Sequence, residues 1–149
     1  MQYNHQSRRT PCHPAGEARK PHLRVDFDRR LKLEFHGSKV TSDAGFLAYR
    51  ELDGALGLTE VAGGHFQDSR TGKNGWHGMT GQFRQSLFGR VGGYEDVNDA
   101  ERLGRDPTMR WIVGGKAVER QAASTSQMAR FETELLASDV NIEALTDMS

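Results

Sequence analysis

The sequence predicts a mainly α-helical protein with a short β-hairpin over about residues 23–36 and a disordered, basic arm over residues 1–22. Beyond residue 43, apolar residues recur mostly at separations of three and four, the spacing of one helix face. They alternate in one short stretch only, and the first 22 residues hold three of the four prolines and almost no large apolar side chain. We therefore place one helical domain at residues 23–149, a usual size for a single core.

The arm is defined by its charge and polarity. Five cations stand against one acid up to residue 24, and too few apolar groups are present to offset the entropy lost on ordering. Its histidines (His5, His13 and His22) and Cys12 fit no zinc-binding spacing, so we predict no metal site there. The chain has a single cysteine and no recognisable signal peptide. Its apolar runs are far shorter than the roughly 20 residues of a membrane helix, so we predict a cytoplasmic protein without a membrane partner.

The hairpin is predicted from strict alternation of apolar and charged residues. A period of two is typical of strands with one buried face, and residues 28–30 are few enough to connect two antiparallel strands. The apolar members of the two runs are Leu23, Val25, Phe27, Leu31, Leu33 and Phe35.

The first helices follow from capping residues and glycines. Ser42 or Asp43 is suited to accept from the first-turn amides of a helix over roughly 43–56, and Gly57 is suited to end it in the left-handed conformation. A short helix over 58–62 is predicted to stop at Gly63, before a loop over 68–75. The next helix, over 76–91, contains glycines that predict a closely packed neighbour. Its apolar stripe comprises Met79, Phe83, Leu87, Phe88 and Val91.

Start and stop signals also define the second half of the domain. A short helix is predicted over 94–103. Asp106 at the cap and Pro107 at the first helical position begin a helix that Gly114 ends. Ser124 or Ser126 caps a further helix, and residues 141–148 suit a last short one.

The zero net charge conceals an uneven distribution. Residues 102–130 carry six Lys or Arg against two acids, whereas the last nineteen residues carry five acids and no Lys or Arg. Together with the arm, this gives two basic segments and an acidic end, a pattern compatible with binding to a polyanion.

Sequence signatures of catalysis are missing. Gly72-Lys73 lacks the second glycine of a phosphate-binding loop, and there is no nucleophile elbow. The densest acidic cluster lies where a helix start favours negative charge, so we interpret its members as first-turn acids and not as a metal-binding pair. These acids are Glu95, Asp96, Asp99 and Glu101. No catalytic residue, metal or cofactor is predicted for this chain.

Residues 106–136 offer the better functional candidate. Two helical patterns are separated by a polar connection, which loosely resembles a helix-turn-helix with a longer connection than usual. Arg, Lys, Ser and Gln side chains reach phosphates and base edges, although the serines can instead act as caps and the helices can simply pack. The candidate DNA-binding residues are Arg110, Lys116, Arg120, Ser124, Ser126, Gln127 and Arg130.

Several motifs occur in a distinctive order along the chain. They are KVTSDAG at 39–45, RQSLFG at 84–89, GYEDVND at 93–99, Arg102-Leu103, Asp106-Pro107, ASTS at 123–126 and RFE at 130–132. This order resembles the start of insertion-sequence transposases of the 1380 group, which have a DDE catalytic domain. The resemblance covers about residues 31–140, and GYEDVND is its most specific block.

The resemblance implies the DNA-binding or assembly portion of a transposase, with the inverted repeats of transposon ends as its DNA partner. In that group the catalytic carboxylates belong to an RNase H-like core that begins after the segment corresponding to 131–147, so none carries over. We therefore expect a fragment or remnant without strand-transfer activity, and a divalent metal such as Mg²⁺ only with the missing core. The alternative is a non-catalytic module that regulates a full-length transposase or pairs with it through Phe83, Leu87 and Phe88. A homo-oligomer is the other partner that we consider.

Overall fold

The fold is mainly helical, which confirms the predicted class. The computed structural model describes residues 23–33, 45–71 and 76–148. Its elements are strands β1 (Leu23–Arg24) and β2 (Lys32–Leu33) and helices α1 (Phe46–Leu56), α2 (Leu58–His65), α3 (Met79–Val91), α4 (Ala100–Leu103), α5 (Pro107–Val113), α6 (Lys116–Glu119), α7 (Thr125–Arg130) and α8 (Asp139–Asp147). A 3-10 turn at Val97–Asp99 leads into α4, and a π-helical segment at Phe131–Leu136 continues α7. The predicted arm with its histidines and Cys12, the caps Ser42 and Asp43, and loop residues 72–75 lie outside the described residues.

The helices bury two hydrophobic clusters, and α3 contributes to both. Phe88 near the end of α3 belongs to the first cluster, and Met79 at its start belongs to the second. The first cluster consists of Leu47, Phe88, Leu103, Met109, Ile112, Val113, Ala117 and Ala122. The second cluster consists of Ala62, Phe66, Met79, Ala100, Ala123, Met128, Phe131 and Leu135. Helix α5 therefore buries its side chains in the first cluster, whereas α7 buries its side chains in the second.

The hairpin predicted over residues 23–36 is not supported. Only two short strands of two residues each pair, antiparallel, within the described residues. The amides of Asp26 and Phe27 donate to the carboxylate of Glu51 on α1, at 2.8 and 3.2 Å, and not to a partner strand. Val25 is buried and Phe27 packs against the first cluster, so the apolar alternation reflects packing of an irregular segment on the helices.

Helix ends that depend on local chemistry are confirmed. Gly57 and Gly114 end α1 and α5 with φ of 70° and 76°, a region that favours glycine. The carboxylate of Asp106 accepts from the amide of Met109 at 2.8 Å, ahead of Pro107 at the helix start. Ser124, and not Ser126, precedes α7 as its cap residue.

Two features of α2 and α3 differ from the prediction. Helix α2 continues through Gly63 to His65. Gly63 does not end the helix but makes room for α3, since a Cβ at Gly63 would lie 2.9 Å from the Cβ of Thr80. Helix α3 begins at Met79 and not at Trp76. Its apolar stripe is only partly buried, since Leu87 is 40% exposed, whereas polar side chains occupy much of the buried face. These buried polar residues are Gln82, Arg84, Gln85 and Ser86.

Candidate nucleic-acid interface

An exposed indole contacted by two cations forms the first candidate surface. Trp76 precedes α3 and is 41% exposed. Nζ of Lys116 lies 4.4 Å from the centroid of its ring, and Cζ of Arg120 lies 4.7 Å from it. Such contacts are stabilised by the electrostatic attraction between a cation and the electron-rich ring face. Within the described residues neither cation forms an ion pair, so both charges remain available. We call these three residues the Trp76 surface.

The local backbone places both cations on the same side of α6. Gly114 and Gly115, with φ of 76° and 56°, reverse the chain after α5. Arg110 then joins the two helices, because its Nε donates to the carbonyl of Ala117 at 2.9 Å and its Nη2 to that of Val118 at 2.6 Å. Lys116 and Arg120 are four residues apart, which is about one helical turn.

A cleft of about 450 Å³ forms the second candidate surface. It lies between the chain that follows α2 and the continuous helix of α7 and its π-helical segment. Arg130 and Glu134 are four residues apart on that helix, yet they form no ion pair with each other. Arg130 is exposed and has no hydrogen-bond partner in the part of the chain that the structure describes. The lining residues are Ser69, Arg70, Thr71, Gln82, Gln127, Arg130, Glu134 and Leu135.

Arg70 is held in position at the edge of this cleft. Its Nε and Nη2 donate to the two carboxylate oxygens of Asp68, at 2.7 and 2.5 Å, and its Nη1 donates to Oε1 of Gln82 at 2.7 Å. The hydrogen bond from Arg70 is the main cause that lowers the pKa of Asp68. A guanidinium has five N–H groups, so two of those of Arg70 remain unused.

His77 is influenced by positive charges from both surfaces. Its side chain is buried, and burial lowers its pKa, as do the positive charges of Arg70 and Lys116. The ring therefore lies in the field of one cation from the cleft and one from the Trp76 surface. Thr71 and Trp76 are also only five residues apart, which limits their separation to about 18 Å. The two surfaces are thus neighbours.

The predicted DNA-binding residues fall into three groups. Lys116 and Arg120 meet on Trp76, and Gln127 and Arg130 line the cleft. The other three are Arg110, whose guanidinium is bonded to backbone carbonyls, Ser124, which caps α7, and Ser126, which is exposed.

The helix-turn-helix arrangement considered for residues 106–136 is not supported. Helix α6 lies between its two proposed helices, and α5 and α7 bury their side chains in separate clusters. Trp76 and Arg70 were missed by the sequence reasoning. A tryptophan beside glycines and Lys73 is the signal that could have indicated Trp76, whereas nothing local distinguishes Arg70.

The acidic residues at 95–101 have structural roles. The carboxylate of Asp96 accepts from the amide of Asn98 at 2.8 Å, and this bond lowers its pKa. Glu101 pairs with Arg105 at 2.7 Å, and Asp99 lies 3.8 Å from Arg102. Among the described residues, no group of three His, Cys, Asp or Glu could hold a metal ion. Within residues 23–33, 45–71 and 76–148, the acids therefore form no paired-metal site.

Cations that lack acidic partners and surround an exposed aromatic ring are features that nucleic-acid-binding proteins use. The family model described as transposase DDE domain, group 1, matches residues 23–148, so this chain belongs to the transposase DDE domain family. No curated protein and no solved structure matches the chain. Across residues 23–33, 45–71 and 76–148, no helix is both long enough and apolar enough to span a bilayer.

Proposed function

We propose that this chain is the DNA-binding and assembly portion of a DDE transposase of the 1380 insertion-sequence group. It recognises the inverted repeats at transposon ends in the bacterial cytoplasm and does not perform strand transfer with its own residues. The family match supports the transposase role. The observation that carries DNA binding is the Trp76 surface, where two cations without ion-pair partners in the described region lie on a partly exposed indole.

The Trp76 surface offers DNA two kinds of contact, an electrostatic one from its cations and an apolar one from its ring. Lys116 and Arg120 neutralise backbone phosphates, which releases counterions condensed on the DNA. The exposed part of the Trp76 ring supplies an apolar face for a sugar or base. The surface itself carries two cations and no carboxylate, so we propose that it binds DNA without a divalent metal.

The test is fluorescence anisotropy with labelled duplex DNA over a series of salt concentrations. We expect the double variant Lys116→Gln/Arg120→Gln to bind more weakly and to reduce the slope of log affinity against log salt by about 1.8, since each neutralised phosphate contributes about 0.9. EDTA should leave the wild-type affinity unchanged. Duplexes from the inverted repeats that flank the coding sequence should bind more tightly than shuffled duplexes.

The matched control is Arg102→Gln/Arg105→Gln, which removes the same charge from two exposed cations that already face acids. We expect a smaller loss of affinity in this control. If both double variants lose affinity equally, binding depends on net charge alone and the Trp76 surface has no special role. If the wild type shows no salt-dependent binding, the proposal is wrong.

A second candidate function is assembly with another copy of the chain. The stripe predicted for pairing with a full-length transposase is unsuitable as an assembly surface, because Phe88 is buried and Phe83 packs edge-on against Phe66, with ring centroids 5.1 Å apart. Helices α1 and α2 instead expose five large apolar side chains, each 53 to 59% accessible. Those on α1 follow one another at separations of three and four residues, the spacing of one helix face, and Gly57 alone separates α1 from α2. The five residues are Tyr49, Leu52, Leu56, Leu58 and Val61.

Light scattering as a function of protein concentration tests this assembly role. We expect Leu52→Lys to shift the chain towards monomer, since it places a charge in the middle of the apolar face. Leu87→Lys, at a 40% exposed position on α3, is the control and should have no effect. A wild-type chain that is monomeric at all concentrations contradicts the assembly role and leaves DNA binding unaffected.

A further inference from the structure

The cleft between residues 69–71 and α7 is rich in unused hydrogen-bond donors. Arg130 has no partner among the described residues, and Arg70 keeps two N–H groups after bonding to Asp68 and Gln82. The carboxamide of Gln127 accepts through its oxygen from Ser124, which leaves its nitrogen as a donor. A ligand that satisfies this set must present several acceptor oxygens.

Charge and size narrow the choice of ligand. The lining carries two guanidinium groups and the carboxylate of Glu134, and Asp68 already pairs with Arg70 at the edge of the cleft. The lining cation without an ion-pair partner among the described residues is Arg130, and its charge favours a ligand with negative charge. A volume of about 450 Å³ exceeds the space needed by an isolated phosphate ion and suits a sugar–phosphate unit. Phosphate oxygens accept hydrogen bonds from both neutral and charged donors. The cleft offers both kinds, the hydroxyl of Thr71 on one side and the guanidinium of Arg130 on the other.

The position of the cleft indicates which phosphate it takes. Thr71 is at most about 18 Å from Trp76, and a DNA strand rises about 3.4 Å per nucleotide, so about five nucleotides at most span the two sites. One strand bound on the Trp76 surface can therefore reach the cleft. A small carboxylate ligand would also supply acceptor oxygens, but it could not bind the cleft and the Trp76 surface at the same time.

We infer that the cleft binds one phosphodiester of the DNA strand that the Trp76 surface holds, with Arg130 and Gln127 on one side and Arg70 and Thr71 on the other. This contact rests on the proposed DNA-binding function and adds a second anchor to it. Glu134 repels the same phosphate and limits its affinity. The cleft therefore contains one residue whose neutralisation weakens DNA binding and one whose neutralisation strengthens it.

The experiment compares Arg130→Gln with Glu134→Gln in the full chain, using a short labelled duplex of arbitrary sequence. We expect Arg130→Gln to weaken binding roughly tenfold at low salt and to reduce the salt slope by about 0.9. Glu134→Gln should tighten binding. Both side chains are exposed, so the fold should be unchanged by circular dichroism, and Arg130→Lys should retain most of the affinity.

A scan of single methylphosphonate linkages locates the contact. One neutralised linkage, within about five nucleotides of those that respond to Lys116→Gln/Arg120→Gln, should weaken binding to the wild type but not to Arg130→Gln. Inorganic phosphate at constant ionic strength tests binding of the free ion. If phosphate binds the wild type but not Arg130→Gln and yet displaces no DNA, the cleft is a site for the free ion alone and the inference is overturned.

The two proposals fail in different ways. If Arg130→Gln binds as the wild type does while Lys116→Gln/Arg120→Gln binds weakly, the cleft does not hold DNA and the proposed function stands. Weaker binding by Glu134→Gln also contradicts the cleft contact. If the wild type does not bind DNA at all, both proposals are overturned together.

Discussion

Asn141 on α8 is bonded to both backbone groups of Gln67, a residue 74 positions earlier in the chain. Its Oδ1 accepts from the Gln67 amide at 2.7 Å, and its Nδ2 donates to the carbonyls of Gln67 at 3.1 Å and of Leu135 at 2.8 Å. The side chain is fully buried. One carboxamide therefore attaches the chain after α2 to α8 and to the π-helical segment.

Asn141→Ala should lower the free energy of unfolding by about 2 to 4 kcal/mol, because both backbone groups of Gln67 lose their partner, while the Leu135 carbonyl keeps its bonds from Ser138. Urea unfolding measures this loss. Asn98→Ala, at an exposed position, should change stability by less than about 0.5 kcal/mol. Equal effects of the two substitutions would show that the Gln67 contacts do not stabilise the fold.

Gly63 and Gly64 are adjacent in α2 but should respond oppositely to alanine. A Cβ at Gly63 would overlap Thr80, which requires α2 and α3 to separate and costs about 1 to 3 kcal/mol. A Cβ at Gly64 meets no atom within 4 Å, so Gly64→Ala should stabilise the helix by up to about 1 kcal/mol. Thermal or urea unfolding of the two variants gives the comparison, and stabilisation by Gly63→Ala would contradict the packing.

Asp53 is the buried anion between two buried guanidinium groups. Its carboxylate lies 3.2 Å from Nη1 of Arg50 and 3.6 Å from Nε of Arg84, and it accepts from the amide and hydroxyl of Thr59 at 2.8 and 2.6 Å. Asp53→Asn should cost about 3 to 5 kcal/mol, since it leaves two buried positive charges without a buried counterion. Urea unfolding again measures the effect.

Glu60 provides the matched control for Asp53, because it pairs with the same Arg84 at 2.6 Å but is 66% exposed. Glu60→Gln should cost less than about 1 kcal/mol, as exposed ion pairs generally do. A loss from Glu60→Gln as large as that from Asp53→Asn would show that burial of Asp53 is not what matters.

His77 should make the stability of the domain depend on pH. Its pKa is lowered in the folded state by burial and by Arg70 and Lys116, so the unfolded chain binds the proton more readily. The free energy of unfolding is then fully retained above about pH 6.5 and falls as the pH decreases from there towards the folded pKa. Urea midpoints against pH should show this loss in the wild type and a smaller one in His77→Gln. His65→Gln serves as the control at an exposed histidine, and an NMR titration that places the His77 pKa at or above 6.5 would refute the assignment.

Helix ends were predictable where one or two neighbouring residues determine them. Asp106 with Pro107 starts α5, and Gly57 and Gly114 end helices in a backbone conformation that other residues rarely adopt. Gly63 misled the prediction because it serves a contact between helices: its missing side chain makes room for Thr80, which is distant in sequence. A glycine needed for close packing and a glycine that ends a helix are indistinguishable in a single sequence.

The polar face of α3 shows the same limit. Gln85 is buried because its carboxamide bonds to both the amide and the carbonyl of Ala123, at 2.8 and 2.7 Å, so a polar residue occupies a core position. Apolar periodicity cannot predict such an exchange: it placed Leu87 on the apolar stripe of the helix, whereas the side chain is 40% exposed. Lys116 and Arg120 were predictable as candidates from their charge, but their meeting on Trp76 depends on the turn at Gly114 and Gly115.

The bonds from Arg110 to the carbonyls of Ala117 and Val118 have a consequence for the kinetics of DNA binding. They set the orientation of α6 before any ligand arrives, and the ring of Trp76 restricts the two long cationic side chains as well. The entropy that these two side chains lose is therefore lost when the protein folds and not when it binds DNA, so the binding surface is preorganised. Replacing Arg110 should consequently lower affinity through a slower association rate, because its guanidinium holds α6 in place through these two carbonyls.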